Sequence, residues 1–483
     1  MSIKSISTNI GKALLINAFF MLISTGISIY NGFDPGFTPL FISFLVTVIT
    51  GTFPFIFVKK SERTTLQSGF LTIVLSWLLS FIFGMLPYVL WGGEFTLVNA
   101  WFESVSGYTT TGSTILQDIE ALPKSLLFWR SSTHFIGGLG VIVFLLMILP
   151  DSSPAKLRLT HLELSSLSKE GYRYKTSTVT KVMVSVYIGL TMVETLLLWA
   201  AGMTLFDAVN HAFSTVATGG FSTKNTSIMY FDSVPIDIII TVFMALSAMH
   251  FGVIYAIIAQ RSFKPLKNPV SRYYFGVIAI CSVLITFSLI AQGGYDSWGR
   301  AILDSTFQTV SYLTTTGFGQ VDNAAWPLLA NTVLLFTALH CGCAGSTTGG
   351  IKADRMYIAL KAIQGDFLKR LHPSSLFRTK VGGKVINDNT VSSVFLYIVL
   401  YILIIFVSFI LLLICGVEIG DAFSGTISSL GNVGPGTGTI GTMGNFSGFS
   451  PMVKFIFTID MFLGRVEIFP ILIVTSMIFK RQK

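Results

Sequence analysis

The chain has 483 residues, of which 52% are hydrophobic and only 11% charged, with a formal net charge of +9. That balance excludes a soluble globular domain and fits a polytopic membrane protein. Nor does the basic excess point to nucleic acid, because 26 of the 32 Lys and Arg lie on alternate connections between apolar runs, with Arg130 and Arg465 inside apolar segments.

The first run, Ala13 to Tyr30, follows Lys4 and Lys12 but is long for a signal peptide and lacks a small-x-small cleavage site, so it reads as a retained helix. Phe37 to Val58, Gly69 to Trp91, Val182 to Met203, Ile236 to Ala259, Tyr274 to Ala291 and Val394 to Cys415 follow. Each can cross about 30 Å of hydrocarbon as a helix. The last span is Pro451 to Phe479. The cysteines, Cys281, Cys341, Cys343 and Cys415, show no disulfide or zinc framework and read as buried small apolar residues. Basic residues gather on alternate connections: five from Lys4 to Arg63, six from Lys156 to Lys181, four from Arg261 to Arg272, eight from Lys352 to Lys384, and three at the end. The opposite connections hold only Lys124, Lys224, Arg300 and Lys454. This bias predicts a multi-pass protein with both termini cytoplasmic, its basic face turned to anionic membrane lipid.

Between the spans, one short pattern recurs. SGYTTTGST ends near Gly112 and LTTTGF near Gly317, with Asn99 and Asp304 each 13 residues before their glycine. Asp207 stands at the same distance from Gly220, and Asp421 from Gly434. Each copy also has a serine six residues before the glycine: Ser106, Ser214, Ser311 and Ser428. An Asn or Asp followed by about ten residues reads as an N-capped helix of about 15 Å, half the membrane. Such a segment dips in and returns, and its non-helical backbone must be buried in protein or line a watery path. Four of them around one axis would turn helix C-termini and carbonyl oxygens toward a cation. The alternatives are ordinary re-entrant turns or small-residue helix packing.

The motifs SGYTTTGST, ATGGFST, LTTTGF, LGNVGPG, CAGSTTGGIK and GRVEIF together resemble the Trk/Ktr/HKT superfamily of potassium-translocating proteins, most closely its bacterial TrkH/TrkG membrane-subunit branch. The resemblance implies an all-α polytopic fold of four membrane-pore-membrane repeats with pseudo-fourfold symmetry plus two N-terminal transmembrane helices, assembled as a homodimer. Its units would be 1–63 (N-terminal pair), 64–155, 156–265, 266–385 (with an intramembrane gate loop) and 386–483. It implies K⁺ as the transported ligand, bound at Thr110, Thr111 and Gly112; Thr218, Gly219 and Gly220; Thr315, Thr316 and Gly317; and Asn432, Val433 and Gly434. All four positions keep glycine, as in potassium-selective members; sodium-transporting plant relatives have serine in the first repeat. It further implies a bacterial inner-membrane location and a cytosolic TrkA-type regulatory subunit that binds NAD or ATP nucleotides. This chain shows no GxGxxG after a strand and no P-loop, so no nucleotide is expected on it. The basic segments Lys156 to Lys181 and Lys352 to Lys384 are candidates for docking that partner.

After Pro327 an apolar half-span reaches His340 and meets a run of small residues, Cys341 to Gly350, which breaks a helix. Gly342, Gly345, Ser346, Gly349 and Gly350 then form a flexible gate loop below the filter, or else a glycine packing surface; metal binding by His340, Cys341 and Cys343 is a third reading. Arg465 lies within an apolar span, where a charge is expensive. Either it faces the pore and blocks cations in the closed state, or it pairs with an acid on another helix. Asp460 and Glu467 read as structural, and Glu103 as either a helix-start acid or a modulator of the local field. A K⁺ symporter coupled to H⁺ or Na⁺ competes with a gated pore. An enzyme is disfavoured by six scattered histidines without HExxH or GxSxG, and an organic-solute transporter by repeats of equal polarity.

Overall fold

The computed structural model describes residues 3–58, 66–147, 176–372 and 378–480. The basic stretch 156–175, expected to dock a partner, lies outside the described residues. Helices α1 (Ile3–Tyr30) and α2 (Phe37–Phe57) form an N-terminal pair. Repeat 1 follows as α3 (Leu66–Gly84), its continuation α4 (Leu86–Trp91), the pore helix α5 (Leu97–Tyr108) and the inner helix α6 (Lys124–Met147). In repeat 2 these are α7 (Thr176–Ala200), α8 (Leu205–Val216), and α9 (Val234–Ser247) with α10 (Phe251–Gln260). Repeat 3 has α11 (Pro269–Ala291), α12 (Trp298–Leu313), and α13 (Leu328–His340) with α14 (Ala353–Leu371). Repeat 4 has α15 (Asp388–Ile414), α16 (Ile419–Gly431), and α17 (Pro451–Arg465) with α18 (Ile468–Lys480). A small hairpin, Lys380–Val381 with Lys384–Val385, joins the last two repeats.

The protein is therefore all-α, with four membrane-pore-membrane units and an added N-terminal pair. Among the described residues six helices are long and apolar enough to span a membrane, or seven if the bent pair α9 and α10 counts as one. Apolar side chains such as Ile280, Val283 and Phe287 on α11, and Val399, Ile402 and Phe406 on α15, are exposed, as a lipid-facing surface requires. Around the centre, each inner helix packs on the pore helix of the next repeat: α6 on α8, α9 on α12, α13 on α16, and α17 back on α5. This closes a pseudo-fourfold ring. The N-terminal pair lies outside it, against repeat 1. The carboxylate of Asp34 joins the two by accepting from the hydroxyl (2.7 Å) and N–H (3.2 Å) of Ser125 at the start of α6.

Four details differ from the sequence reading. First, Asn99 and Asp207 are not N-caps. Thr96 and Thr204 are, accepting the N–H of Asn99 (3.3 Å) and of Asp207 (3.1 Å). The acids sit inside the helix because their carboxylates reach forward to the strand returning from the pore: Asp207 to the Thr223 hydroxyl (2.6 Å), Asp304 to the Gln320 amide (3.0 Å), and Asp421 to the Thr439 hydroxyl. Second, Ile236 to Ala259 is not one helix, because α9 and α10 meet at 103°. At the break, Cys343 donates its N–H to the Ala248 carbonyl (2.8 Å). His250 Nδ1 caps α10 by accepting from Gly252 N–H at 2.9 Å. Third, the last span breaks after Arg465, where Glu467 takes φ +58°, so Ile468 and Phe469 do not continue the helix of Arg465. Fourth, Cys415 is exposed at the end of α15, whereas Cys281, Cys341 and Cys343 are buried.

Candidate cation filter and gate

All four pore helices end in the same way. Thr110, Thr218, Thr315 and Asn432 take left-handed backbone, with φ of 51°, 56°, 57° and 56°. Their N–H groups bond the carbonyls of Gly107, Thr215, Tyr312 and Ser429, and the next N–H groups, of Thr111, Gly219, Thr316 and Val433, reach back to Ser106, Ser214, Ser311 and Ser428 at 2.8–2.9 Å. This is the Schellman closure of a helix, and it is the serine carbonyl, not the hydroxyl, that all four copies use. Threonine in that conformation is strained. In TTTG the outer threonines bond each other across the strained middle one, Thr109 to Thr111 and Thr314 to Thr316, both at 2.8 Å. In repeat 4 the amide of Asn432 instead donates to Thr111 (3.1 Å) and to the Met461 carbonyl (2.8 Å). Repeat 2 carries Gly219 at the third position because the His134 ring fills the space a Cβ would need.

The glycines that follow also have positive φ: Gly112 +83°, Gly220 +83°, Gly317 +77° and Gly434 +105°. A Cβ at Gly112 would overlap the Gly219 carbonyl oxygen, one at Gly220 that of Thr316, one at Gly317 that of Val433, and one at Gly434 that of Thr111. Each glycine thus backs onto the carbonyl preceding the next repeat's glycine, and the cycle closes. A small, partly open cup of about 60 Å³ is lined by all four glycines and the segments that follow them. Four helix C-termini end at the ring, so their dipoles favour a cation there. Among the described residues no cluster of three His, Cys, Asp or Glu side chains is poised to hold a metal, and His340 Nε2 meets the Tyr273 hydroxyl at 2.8 Å.

On the other side of the pore-helix ends lies the small-residue loop, 341–352, which bonds to repeats 2 and 4 as well as to its own repeat 3. Gly349 N–H donates to Thr315 Oγ1 (3.2 Å), and the Thr347 hydroxyl to the carbonyls of Val216 (3.0 Å) and Ser247 (3.3 Å). Side chains at Gly342, Gly345, Gly349 or Gly350 would overlap Ala248, the His250 ring, the Gly431 carbonyl or Cys341 respectively, so the backbone can lie here only because these residues are glycine. The hydroxyls of Ser346 and Thr348 bond at 2.8 Å. Asp354 holds the loop by accepting Ala344 N–H at 2.6 Å. Arg465 is buried, and its guanidinium donates to the carbonyls of Thr347 and, at 3.0 Å, Gly137. It joins repeats 4, 3 and 1 through backbone oxygens and not through an acid. Glu467 pairs with Arg355 at 2.6 Å, and Asp460 accepts from the Ser408 hydroxyl at 2.7 Å.

The residues named from sequence thus gather into two layers, the ring and the loop beneath it. His134, which reads from sequence as a packing or hydrogen-bonding residue near a pore segment, does both, stacking on Phe221 and bonding Ser214; Thr347, Asp354, His250 and Gly137 escaped the sequence reading. Only His250 left a signal, as a lone polar ring in an apolar run.

The comparisons agree with this geometry. Residues 38–483 match the model of the family described as "TrkH: Cation transport protein". The chain is 34% identical, over 88% of each chain, to the Trk system potassium uptake protein TrkH of Salmonella typhimurium. It is 34% identical to the Trk system potassium uptake protein TrkG of Escherichia coli, over 92% of this chain and 91% of that one. The crystal structure of the potassium transporter TrkH from Vibrio parahaemolyticus superposes with a TM-score of 0.88 at 31% identity, covering 98% of both chains. A closed ring of four unequal pore segments, matched over nearly its whole length in sequence and in shape, makes this chain a member of the TrkH family of cation transport proteins, which are membrane transporters and not enzymes.

Proposed function

We propose that the chain carries K⁺ inward across a bacterial inner membrane, through a filter made by Thr110 to Gly112, Thr218 to Gly220, Thr315 to Gly317 and Asn432 to Gly434. The observation that carries this reading is the closed cycle of glycines and carbonyls. Carbonyl oxygens from four sides can replace the water shell of a K⁺ ion, and helix C-termini add a favourable field. The relatives' names as potassium uptake proteins support K⁺ as the cargo. The loop with Gly342, Gly345, Ser346, Gly349 and Gly350 then acts as the gate. Arg465, tied to that loop, holds a positive charge on the cation path and raises the barrier while the gate is shut. A homodimer, cytoplasmic termini, the unit boundaries 1–63, 64–155, 156–265, 266–385 and 386–483, and a cytosolic TrkA-type subunit that supplies the NAD or ATP response complete the proposal.

The test is uptake of ⁸⁶Rb⁺ into K⁺-loaded proteoliposomes diluted into Na⁺ medium. Uptake that an imposed pH gradient leaves unchanged supports a pore. Uptake that needs a proton or sodium gradient replaces it with symport. No uptake under any gradient, with or without the regulatory partner, overturns the reading.

A further inference from the structure

The ring has a support of its own between repeats 1 and 2. Glu103 on α5 and Arg130 on α6 form a buried ion pair, with side chains 0% and 2% exposed. The Glu103 carboxylate accepts from the Thr114 hydroxyl (3.0 and 3.1 Å) and the Ile115 N–H (3.1 Å), on the strand leaving Gly112. Arg130 donates to the Ser222 carbonyl at 3.0 Å, on the strand leaving Gly220. Its guanidinium also lies 3.6 Å from the centroid of the Phe221 ring. That ring stacks on His134, with centroids 4.0 Å apart and planes 15° apart. His134 in turn occupies the space beside Gly219 and bonds Ser214 at 3.0 Å. One ion pair therefore grips both strands of the seam at which Gly112 abuts the Gly219 carbonyl.

At the other seams the ties beside the glycines differ in kind. Between repeats 2 and 3 the Gln320 amide donates to the Asp237 carboxylate at 2.6 Å. Ser113 donates its hydroxyl to the Gly434 carbonyl (3.0 Å) between repeats 1 and 4, and the Tyr312 hydroxyl donates to the Gly436 carbonyl (3.0 Å) between repeats 3 and 4. Hydrogen bonds of this kind, with at least one neutral partner, can tilt and lengthen at small cost. A buried ion pair is stiffer, because separating its charges in a low-dielectric surrounding leaves both poorly solvated, and the arginine is also stacked on an aromatic face.

We propose that Glu103 and Arg130, acting through Phe221 and His134, are positioning residues for ion discrimination: they fix the width of the seam between repeats 1 and 2, and hence the preference for K⁺ over Na⁺. This rests on the reading of the ring as a K⁺ filter. Na⁺ is the smaller ion and needs carbonyls drawn closer, so a seam that cannot close in disfavours it. Loosening the clamp lets the carbonyls follow Na⁺ inward.

The experiment compares wild type with Phe221→Leu, Arg130→Lys and Glu103→Gln in proteoliposomes, measuring ⁸⁶Rb⁺ uptake in competition with K⁺ or Na⁺ together with the melting temperature. Phe221→Leu and Arg130→Lys keep K⁺ flux and lower the K⁺/Na⁺ ratio about tenfold, a change of about 1.4 kcal/mol. Phe221→Tyr, which keeps the ring, retains the wild-type ratio. Should Glu103→Gln not fold, Phe221→Leu, which removes no charge, decides. Folded Phe221→Leu and Arg130→Lys proteins with an unchanged ratio overturn the proposal, as does an equal loss of flux for both ions, which marks a merely structural role. A wild-type protein without K⁺ preference sinks the filter reading and this proposal with it; a selective wild type with unaltered variants sinks the proposal alone.

Discussion

Gly112→Ser is the substitution whose consequence can be worked most fully. Gly112 has φ +83°, a left-handed conformation that costs a residue with a side chain about 1–2 kcal/mol. The new Cβ also overlaps the Gly219 carbonyl oxygen. That oxygen has little freedom: the Gly219 N–H is bound to Ser214 at 2.8 Å, and the His134 ring lies against its Cα. Overpacking at a site that yields poorly adds about 1–3 kcal/mol, so roughly 2–5 kcal/mol must be absorbed between folding and filter shape. Where about 1.4 kcal/mol of that falls on the position of the Gly219 carbonyl, the K⁺/Na⁺ ratio drops about tenfold. The assay is competitive ⁸⁶Rb⁺ uptake on protein whose melting temperature shows it to be folded. Because the effect is steric, Gly112→Ala should relax selectivity as much as Gly112→Ser. Folded Gly112→Ser with a wild-type ratio would refute the reasoning, and so would relaxation by serine but not by alanine.

Other perturbations have expected outcomes. Arg465→Gln removes the guanidinium bonds to Thr347 and Gly137 and should raise basal cation flux several-fold without a regulatory partner; reduced flux from a protein of normal melting temperature would refute a closed-state barrier. Asp354→Asn weakens the hold on Ala344 N–H by about 1–2 kcal/mol and should speed hydrogen exchange across 341–350. Unchanged protection would show that the loop is held elsewhere. Gly464→Ala drives a Cβ into the Leu430 carbonyl at the end of α16 and should destabilise the protein by about 1–3 kcal/mol, read as a lower melting temperature; an unshifted melt would mean that the two helices separate freely.

Much of this architecture could be read in the sequence because it rests on local chemistry. Long apolar runs mark the spans, and four copies of a 13-residue spacing mark the pore segments, since a half-membrane helix of fixed length must deliver its glycine to the same depth. What failed to appear depends on partners distant in the chain. Thr110 and Thr218 give no sequence sign of left-handed backbone, because threonine normally avoids it; the helix closure onto Ser106 and Ser214 holds them there. The 103° bend between α9 and α10 has no Gly or Pro at its corner. It exists where backbone from the loop of repeat 3 takes up the freed carbonyl of Ala248. From sequence Arg465 either pairs with an acid or faces the pore, and its carbonyl partners on two other repeats leave no composition signal. Asp207 and Asp421 read as caps from sequence because Asp before a helix usually is one. Their longer reach to Thr223 and Thr439 is a property of the folded ring.

The direction in which the ring is stitched matters for genetics. Since Gly112 backs onto Gly219, Gly220 onto Thr316, Gly317 onto Val433 and Gly434 onto Thr111, damage at one glycine falls on an oxygen supplied by the following quarter of the chain. Second-site suppressors of a Gly112 allele should therefore arise around Gly219 and its backing, in repeat 2, and those of a Gly434 allele should arise in repeat 1. Inheritance of the defect runs one way around the circle, so a map of such suppressors would recover the order of the four repeats around the ring without any structure.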